Sequence, residues 1–427
     1  MEDFKHIELK DVCDLIPGFA FKSTDFGCSD NRVIKIGDIQ PPYVKEDNLT
    51  TVDISNYSTS KLEKFIVTYD DFVLAMTGAT IGKIGRYIGL NPAYLNQRVL
   101  LFRPKEGINR KYVYYCLMSP TFKKYINNHI DSQTAQPNIS ANSVSGYEIP
   151  IPEIKKQNTI ANILSSLDDK IELNNRINHN LEEQALALYK SWFVDFEPFK
   201  DGKFVESELG LLPEGWRVGC YNDIIYTIVS GDWGKEDLTG NYTHKVSCIR
   251  GCDFADASHG LRGNTPERYI LEKNYNNKRL LDKDIIVEIS GGTPIVSTGR
   301  ICMISKKLLE KYNNDLVCTN FCKIIRPLKG YSSYIFYSWF DKYQQKVMFG
   351  YENGTSGIKN FQLSDFLEKE PVIIPPLDAI SRFATIIDSY QVVIQMNGSE
   401  NMKNAEIRDT LLPKLMSGEL KINEIDC

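Results

Sequence analysis

The chain has 427 residues, 42% hydrophobic and 25% charged, with a formal net charge of −5. This length allows two or three domains with cores of their own, and the composition excludes a disordered, collagen-like or disulfide-scaffold chain. Ten scattered cysteines, the N-terminal MEDFKHIELK without an apolar stretch and the lack of any run of about 18 apolar residues point to a reducing cytoplasm, with no secretory signal or membrane span expected.

Taken in chain order, residues 1–150 read as a strand-rich globule carrying 17 basic and 17 acidic side chains. Phe65-Ile66-Val67, Phe72-Val73-Leu74 and Arg98-Val99-Leu100-Leu101-Phe102, bounded by Gly, Asp or Pro, predict short strands. Tyr112, Tyr115, Cys116 and Phe122 at helical spacing predict a helix over Lys111–Ile126. At Ile149-Pro150-Ile151-Pro152 two alternate prolines impose an extended entry. From Gln157 the apolar period is helical. Ile160, Leu167, Leu181 and Leu188 take one heptad position, and Leu164, Ile171, Ala185 and Trp192 the other. Read as Gln157–Trp192, this helix is roughly 54 Å long. Asn174 and Asn178 interrupt its seam.

Phe196–Trp216, rich in Gly, Pro and charge, reads as a linker. A second globule follows, with strands predicted at Asp284–Ile289 and Phe321–Ile325 and a helix over Tyr331–Val347. Residues 206–371 carry 21 charges of each sign, so the acidic surplus lies in 151–205 and 372–427. Neutral globules can still present a basic face, and net charge does not decide for or against nucleic acid. After Pro375-Pro376 comes a second helical seam of Phe383, Ile387, Tyr390 and Ile394, interrupted by Asn397 and Asn401, with a kink expected at Gly398-Ser399. Leu411–Leu420 ends that helix, with Gly418 as its cap.

The second half repeats the first. A shift of 223 places Pro152 on Pro375, Ala161 on Ala384, Asn174 on Asn397 and Asn178 on Asn401; upstream, Arg103 meets Arg326 and Tyr114 meets Tyr337. Further back the shift is 213, pairing Asp71, Gly78 and Thr80 with Asp284, Gly291 and Thr293. Asparagines at the same depth in both seams predict that the helices pack on each other, since a buried amide needs a polar partner. The plain alternative is solvent-facing asparagines on separately docked helices.

The ordered set IPIPEIKKQNTIANILSSLDDKIELNNRIN, SWFVDFEP, LPEGWRV and LLPKLMSGEL, within this duplicated architecture, resembles the specificity subunits of type I restriction–modification systems over essentially the whole chain. The resemblance implies an α/β (α+β) fold with two repeated strand-rich target-recognition domains separated by two long helices in an antiparallel coiled coil. The expected divisions are 1–150 for the first recognition domain, 151–197 for the first spacer helix and start of the linker, 198–371 for the linker and second recognition domain, and 372–427 for the second spacer helix and tail. It implies a non-catalytic subunit that reads a bipartite, asymmetric site in double-stranded DNA. Two DNA adenine methyltransferase subunits, and restriction translocase subunits where present, would dock on it. S-adenosylmethionine, ATP and Mg2+ would then be used by those partners, with no cofactor or metal in this chain.

DNA contact is expected from the loops after the Gly-rich strands: Thr77, Thr80, Lys83, Arg86, Asn96, Gln97 and Arg98 in the first repeat, and Thr293, Arg300, Thr319 and Asn320 in the second. Lys and Thr suit phosphates; Asn, Gln and Arg carry bidentate geometry for base edges. Hairpin turns with solvated charges are the alternative. Gln133–Asn138, with Gln136, and Asn353–Asn360, with Lys359 and Asn360, either touch DNA or brace the globule. Tyr43, Tyr57, Tyr87, Trp233 and Tyr351 are stacking candidates, set against the commoner role of aromatics in cores. The coiled-coil and partner interface is expected at Ile160, Leu164, Leu167, Ile171, Asn174, Asn178, Leu181, Phe383, Ile387, Tyr390, Ile394, Asn397 and Asn401.

Other chemistries are weaker. Gln40-Pro41-Pro42-Tyr43 and Asn91-Pro92-Ala93-Tyr94 each miss one residue of the adenine-methyltransferase motif Asp/Asn-Pro-Pro-Tyr/Phe. Gly78–Ile84 is one residue short of a P-loop and lacks its Ser or Thr. Cys248, Cys252, Cys318 and Cys322 form two C-x3-C pairs, formally enough for zinc but more simply buried thiols. A protein-only coiled-coil adaptor remains the rival reading.

Overall fold

Alternate residues of single strands feed two different cores, and this organises each half of the protein. In the computed structural model, residues 4–27, 29–131, 137–293, 295–313, 315–354 and 359–420 are described. They divide between two compact units, Met1–Asp169 with Asn404–Cys427, and Lys170–Lys403.

In the first unit the principal sheet runs in the order Cys13–Pro17, Val99–Pro104, Phe72–Ala75, Ile84–Tyr87, Tyr43–Val44. Phe72, Leu74, Leu100 and Phe102 point into a core shared with the helices, while Val73, Ala75, Val99 and Leu101 enter a second core on the opposite face. All eight are fully buried, as the period-two geometry of a strand covered on both faces requires. The second core is closed by a four-stranded sheet in which Arg32–Ile34 and Ala93–Leu95 pair in parallel. Lys5–Glu8 pairs antiparallel with Glu148–Ile151 and delivers the chain to the helix.

The second unit copies this plan. Its sheet order Ile225–Ser230, Cys322–Pro327, Ile285–Glu288, Ile301–Met303 matches the first four strands of the first unit. Ile285, Val287 and Ile325 serve one core, and Ile286, Cys302, Cys322 and Ile324 the other. The parallel pair recurs in Tyr242–Ile249 with Leu316–Cys318, and the entry pair in Arg217–Cys220 with Pro371–Ile374.

The long helices are Ile154–Phe193 and Leu377–Met416, of 40 residues each, longer than the apolar seam suggests because the prolines before them leave room for another turn. In the first unit Ile160, Ala161 and Leu164 share a core with Leu412, Leu415 and Met416. Arg408 donates to Asp168 at 2.6 Å, and Tyr115 donates to the other oxygen of the same carboxylate at 2.6 Å. In the second unit Asn174 and Asn178, each 1% exposed, are satisfied across the helix pair. Asn174 Nδ2 donates to Asn401 Oδ1 at 2.9 Å and to Glu400 at 2.8 Å. Asn397 Nδ2 donates to Asn178 Oδ1 at 2.8 Å, and Asn178 Nδ2 to the Ile394 carbonyl at 3.2 Å. The pairing is antiparallel, since 174 faces 401 while 178 faces 397. Phe383, Ile387 and Ile394 are buried; Leu167, Ile171, Leu181, Tyr390, Asn397 and Asn401 are half-buried.

Three local expectations are corrected. The helix predicted over Lys111–Ile126 is two, Arg110–Met118 and Pro120–Asn128, because Ser119 caps the second through Phe122 N–H and Pro120 has no N–H to continue the first. The linker Phe196–Trp216 contains a hairpin, Phe204–Ser207 with Gly210–Pro213, and buries Leu212 and Trp216. The second long helix is unbroken at Gly398. A Cβ there would lie 2.0 Å from the carbonyl oxygen of His259, so the glycine admits a close approach of backbone. Among the described residues, no helix is long and apolar enough to cross a membrane.

Candidate nucleic-acid interface

At one end of the interior strands of each unit's principal sheet, three segments meet on the same backbone frame. In the first, Met76 N–H donates to the Arg98 carbonyl at 2.9 Å, and Ile139 N–H donates to the Met76 carbonyl at 2.9 Å. In the second, Ile289 N–H donates to the Phe321 carbonyl at 2.9 Å, and Phe361 N–H to the Ile289 carbonyl at 2.9 Å. Thr77 bridges Asn138, which bridges Asp131; correspondingly, Ser290–Gly291 pairs with Lys359–Phe361, which pairs with Glu352–Asn353. The frame therefore brings Thr77, Thr80 and Lys83 beside Asn96, Gln97 and Arg98, and brings Thr293 beside Thr319, Asn320, Lys359 and Asn360.

A glycine clamps each frame from behind. A Cβ on Gly18 would lie 1.8 Å from the Asn96 carbonyl oxygen, and one on Gly231 would lie 2.0 Å from that of Thr319. Gly18 N–H donates to Val99 and Gly231 N–H to Cys322, equivalent residues by the 223 shift. Arg98 adopts φ +70°, turning the loop sharply before its strand.

The hydrogen bonds also fix equivalences that sequence shifts leave ambiguous. Ala75 exchanges backbone bonds with Gly82 and Lys83; Glu288 does so with Gly299 and Arg300. Arg300 thus holds the place of Lys83, and four extra residues lie in the turn between Gly291 and Gly299. The remainder of the insertion surrounds the short helix Lys306–Glu310.

The side chains on these matching frames differ. In the first repeat Gln97 and Arg98 are exposed and Lys83 half-buried, and among the described residues neither cation has an ion-pair partner. The Asn96 Oδ1 atom is buried without a hydrogen-bond partner among the described residues. In the second repeat, Arg300 makes a two-pronged pair with Glu288, both contacts at 2.8 Å, and the carboxylate raises the guanidinium pKa. Lys359 donates to Glu352 at 2.6 Å. Burial alone would raise the Glu352 carboxyl, but Lys359 and the Thr298 N–H and hydroxyl hold it below its ordinary range. The same segments carry Phe321, 57% exposed, and Ile295, 87% exposed. Neither was expected from the sequence: Phe321 was placed in a strand that in fact begins at Cys322. The signal was the 223 shift itself, which puts Phe321 on Arg98.

Several candidates fall elsewhere. Arg86 is buried on Ile84–Tyr87 beside Asp70, at 3.3 Å, and packs near the rings of Tyr43 and Tyr114, out of reach of a phosphate. Thr77 and Thr319 are buried, and Thr319 N–H donates to the Ile249 carbonyl, so both shape the loops rather than face outward. Tyr87 is fully buried and donates to the Asn91 carbonyl, which removes it as a stacking platform. The Tyr57 hydroxyl is tied to Asp25 and that of Tyr351 to Glu370, and the Trp233 ring carries Arg268 at 4.1 Å. Gln133–Gln136 and Thr355–Ile358 lie outside the described residues. Cys248, Cys318 and Cys322 are buried on strands and Cys252 is exposed; among the described residues no His, Cys, Asp and Glu group is arranged to hold a metal.

With this geometry in view, the comparisons with known proteins are informative. The family model of the type I restriction modification DNA specificity domain matches residues 1–183. The type I restriction enzyme MjaIX specificity subunit of Methanocaldococcus jannaschii is 29% identical, over 83% of this chain and 78% of that protein. The HindI specificity subunit of Haemophilus influenzae is 24% identical over 98% of this chain and all of its own. The crystal structure of the type I restriction-modification system S subunit from M. genitalium shares the fold, with a TM-score of 0.53 at 16% identity, covering 97% of this chain and 96% of that one.

Proposed function

Because this chain belongs to the specificity subunits of type I restriction–modification systems, whose work is DNA target recognition, we propose that it reads a bipartite, asymmetric site, one half with each repeat. The family's specificity subunits are non-catalytic and hold no cofactor; S-adenosylmethionine, ATP and Mg2+ act in the partners. The chain assembles into a type I complex with DNA, and its work is cytoplasmic. The single observation that carries the bipartite reading is the pair of strand ends described above: one backbone frame built twice, with different side chains on each.

On this reading residues 1–150 and 198–371 are recognition domains, the latter with its linker, and 151–197 and 372–427 are spacer segments. Thr80, Lys83, Asn96, Gln97 and Arg98 contact one half-site, and Thr293, Asn320, Lys359 and Asn360 the other. Two adenine methyltransferase subunits, joined by translocase subunits where present, dock on the helices. The supporting feature is an apolar face in the second unit: Leu173, Ile177, Val392, Val393 and Met396 are between 37% and 56% exposed, an unusual run of water-facing hydrophobics on one helix pair. Replacing Leu173 and Met396 by Glu is expected to abolish copurification of the methyltransferase and leave the subunit folded.

The decisive experiment is methylome sequencing of cells with and without the gene. Loss of one bipartite N6-methyladenine motif supports the reading, and exchange of Asn96 and Gln97 for Ala is expected to alter one half of that motif alone. An unchanged methylome in cells expressing the complete system would sink it and favour a protein-only adaptor.

A further inference from the structure

The two repeats differ in how these strand ends are charged. At the position where the first repeat carries the exposed Arg98, the second carries Phe321; both residues accept the same backbone bond, from Met76 and Ile289. Where the first repeat has Lys83 opposite Ala75, the second has Arg300 locked to Glu288. The second repeat's other candidate cation, Lys359, is held by Glu352. Its turn is four residues longer, and Thr293 Oγ1 accepts from the backbone N–H groups of Ile295 and Val296 at 3.3 and 3.0 Å, fixing a tip on which Ile295 is 87% exposed.

An exposed phenylalanine on a polar loop, held by backbone bonds and backed by a glycine clamp, gains free energy from any apolar group that covers it. In a major groove, the apolar feature of a base pair is the 5-methyl group of thymine. From this we infer that the second repeat reads thymine methyl groups through Phe321 and Ile295, while the first contributes phosphate and base-edge contacts through Lys83 and Arg98. The inference rests on the DNA-reading function proposed above. It makes affinity for the two half-sites respond to different variables, one to methyl groups and the other to salt.

The test uses the full subunit in its methyltransferase complex and duplexes carrying the motif found by methylome sequencing. Thymine is replaced by deoxyuridine in one half-site at a time, and binding is followed by anisotropy. Deoxyuridine in one half-site is expected to weaken binding about fourfold per methyl contacted; in the other it has no effect. Phe321→Ala should reduce that sensitivity while leaving the slope of log affinity against log salt unchanged. Lys83→Ala should lower the slope by about 0.9 and keep the deoxyuridine effect. Ile295→Ala, at an exposed tip, provides a variant that does not disturb the fold. Equal binding of thymine and deoxyuridine duplexes in both half-sites, a deoxyuridine effect undiminished in both Phe321→Ala and Ile295→Ala, or a motif with no A·T pair in the half read by the second repeat would overturn the inference. Failure of the wild-type complex to prefer its motif at all would instead overturn the DNA-reading function.

Discussion

The two halves of this protein share a backbone and differ in what they put on it. Among the described residues, Lys83 and Arg98 of the first unit have no acidic partner; the second unit neutralises Arg300 and Lys359 and offers Phe321 and Ile295. The same contrast appears in the helices. In the first unit the pair is joined by the mostly buried ion pair of Arg408 with Asp168; in the second the buried contacts are amides at Asn174, Asn178, Asn397 and Asn401, with the more exposed ion pair of Lys170 and Glu400 at their rim. Duplication has thus preserved hydrogen bonds between main-chain atoms, which do not depend on side-chain identity, and has released the side chains to diverge.

The strongest way to break this comparison is to attack the shared frame one half at a time. Gly18→Ala or Gly231→Ala forces a methyl group onto a carbonyl oxygen, and each is expected to cost its own unit about 3 kcal/mol. Differential scanning calorimetry should show the corresponding transition alone shifting downward. Equal shifts in both would mean that the units do not unfold separately.

Next in size is the helix contact. Arg408→Met strands a mostly buried Asp168 carboxylate and should destabilise the first unit by about 2 kcal/mol; Asn178→Ala, which leaves Asn397 unsatisfied, should cost the second about as much. Salt separates the two: 0.5 M NaCl is expected to shrink the Arg408 effect and leave that of Asn178 intact. Identical salt responses would contradict the ionic-versus-amide distinction.

A smaller effect sharpens the comparison through pH. Burial pushes the Asp284 carboxyl up to about 6, against the opposing pull of the Leu281 N–H and Arg326. A carboxyl that binds its proton more tightly folded than unfolded favours folding at low pH. Stability of the second unit should therefore rise as pH falls from about 6 towards 4, by on the order of 1–2 kcal/mol. Asp284→Asn should flatten that profile in urea titrations, and an unchanged slope would rule Asp284 out as its source.

The smallest effect concerns His259, whose pKa is raised by its hydrogen bond to Glu182 at 3.2 Å, outweighing burial. That contact is fully made below pH 6.5 and fades as pH rises through the higher folded-state value. Hydrogen exchange around Phe254–His259 should quicken between pH 6.5 and 8 in the wild type beyond the intrinsic pH effect, and lose that excess in His259→Ala.

Much of the fold was legible in the sequence because its determinants are local or periodic. The alternation in Phe72-Val73-Leu74 and the heptads from Ile160 onward read directly as strand and helix, and the matched asparagines announced a partner for each helix. What escaped depended on where chain insertions fall. A shift of 213 or 223 cannot tell whether extra residues sit before or after Arg300, so neither shift identifies Lys83 as its counterpart. Neutralisation by Glu288 and Glu352 was invisible for the same reason: each carboxylate reaches its cation across a strand pairing, not along a helix face. The burial of Arg86 and Thr319 follows from sheet packing, which residue type does not disclose.

The glycines at 18 and 231 carry a consequence for how such a protein changes over generations. They lock the carbonyls of Asn96 and Thr319 in place from behind, so a loop's path is set by an atom that is missing and not by the side chains the loop displays. Substitutions at 97, 98, 320 and 321 can then accumulate without refolding cost. On the reading proposed above, a lineage would acquire a new target by point mutation on a fixed platform, one repeat at a time, while the other repeat went on recognising its old half.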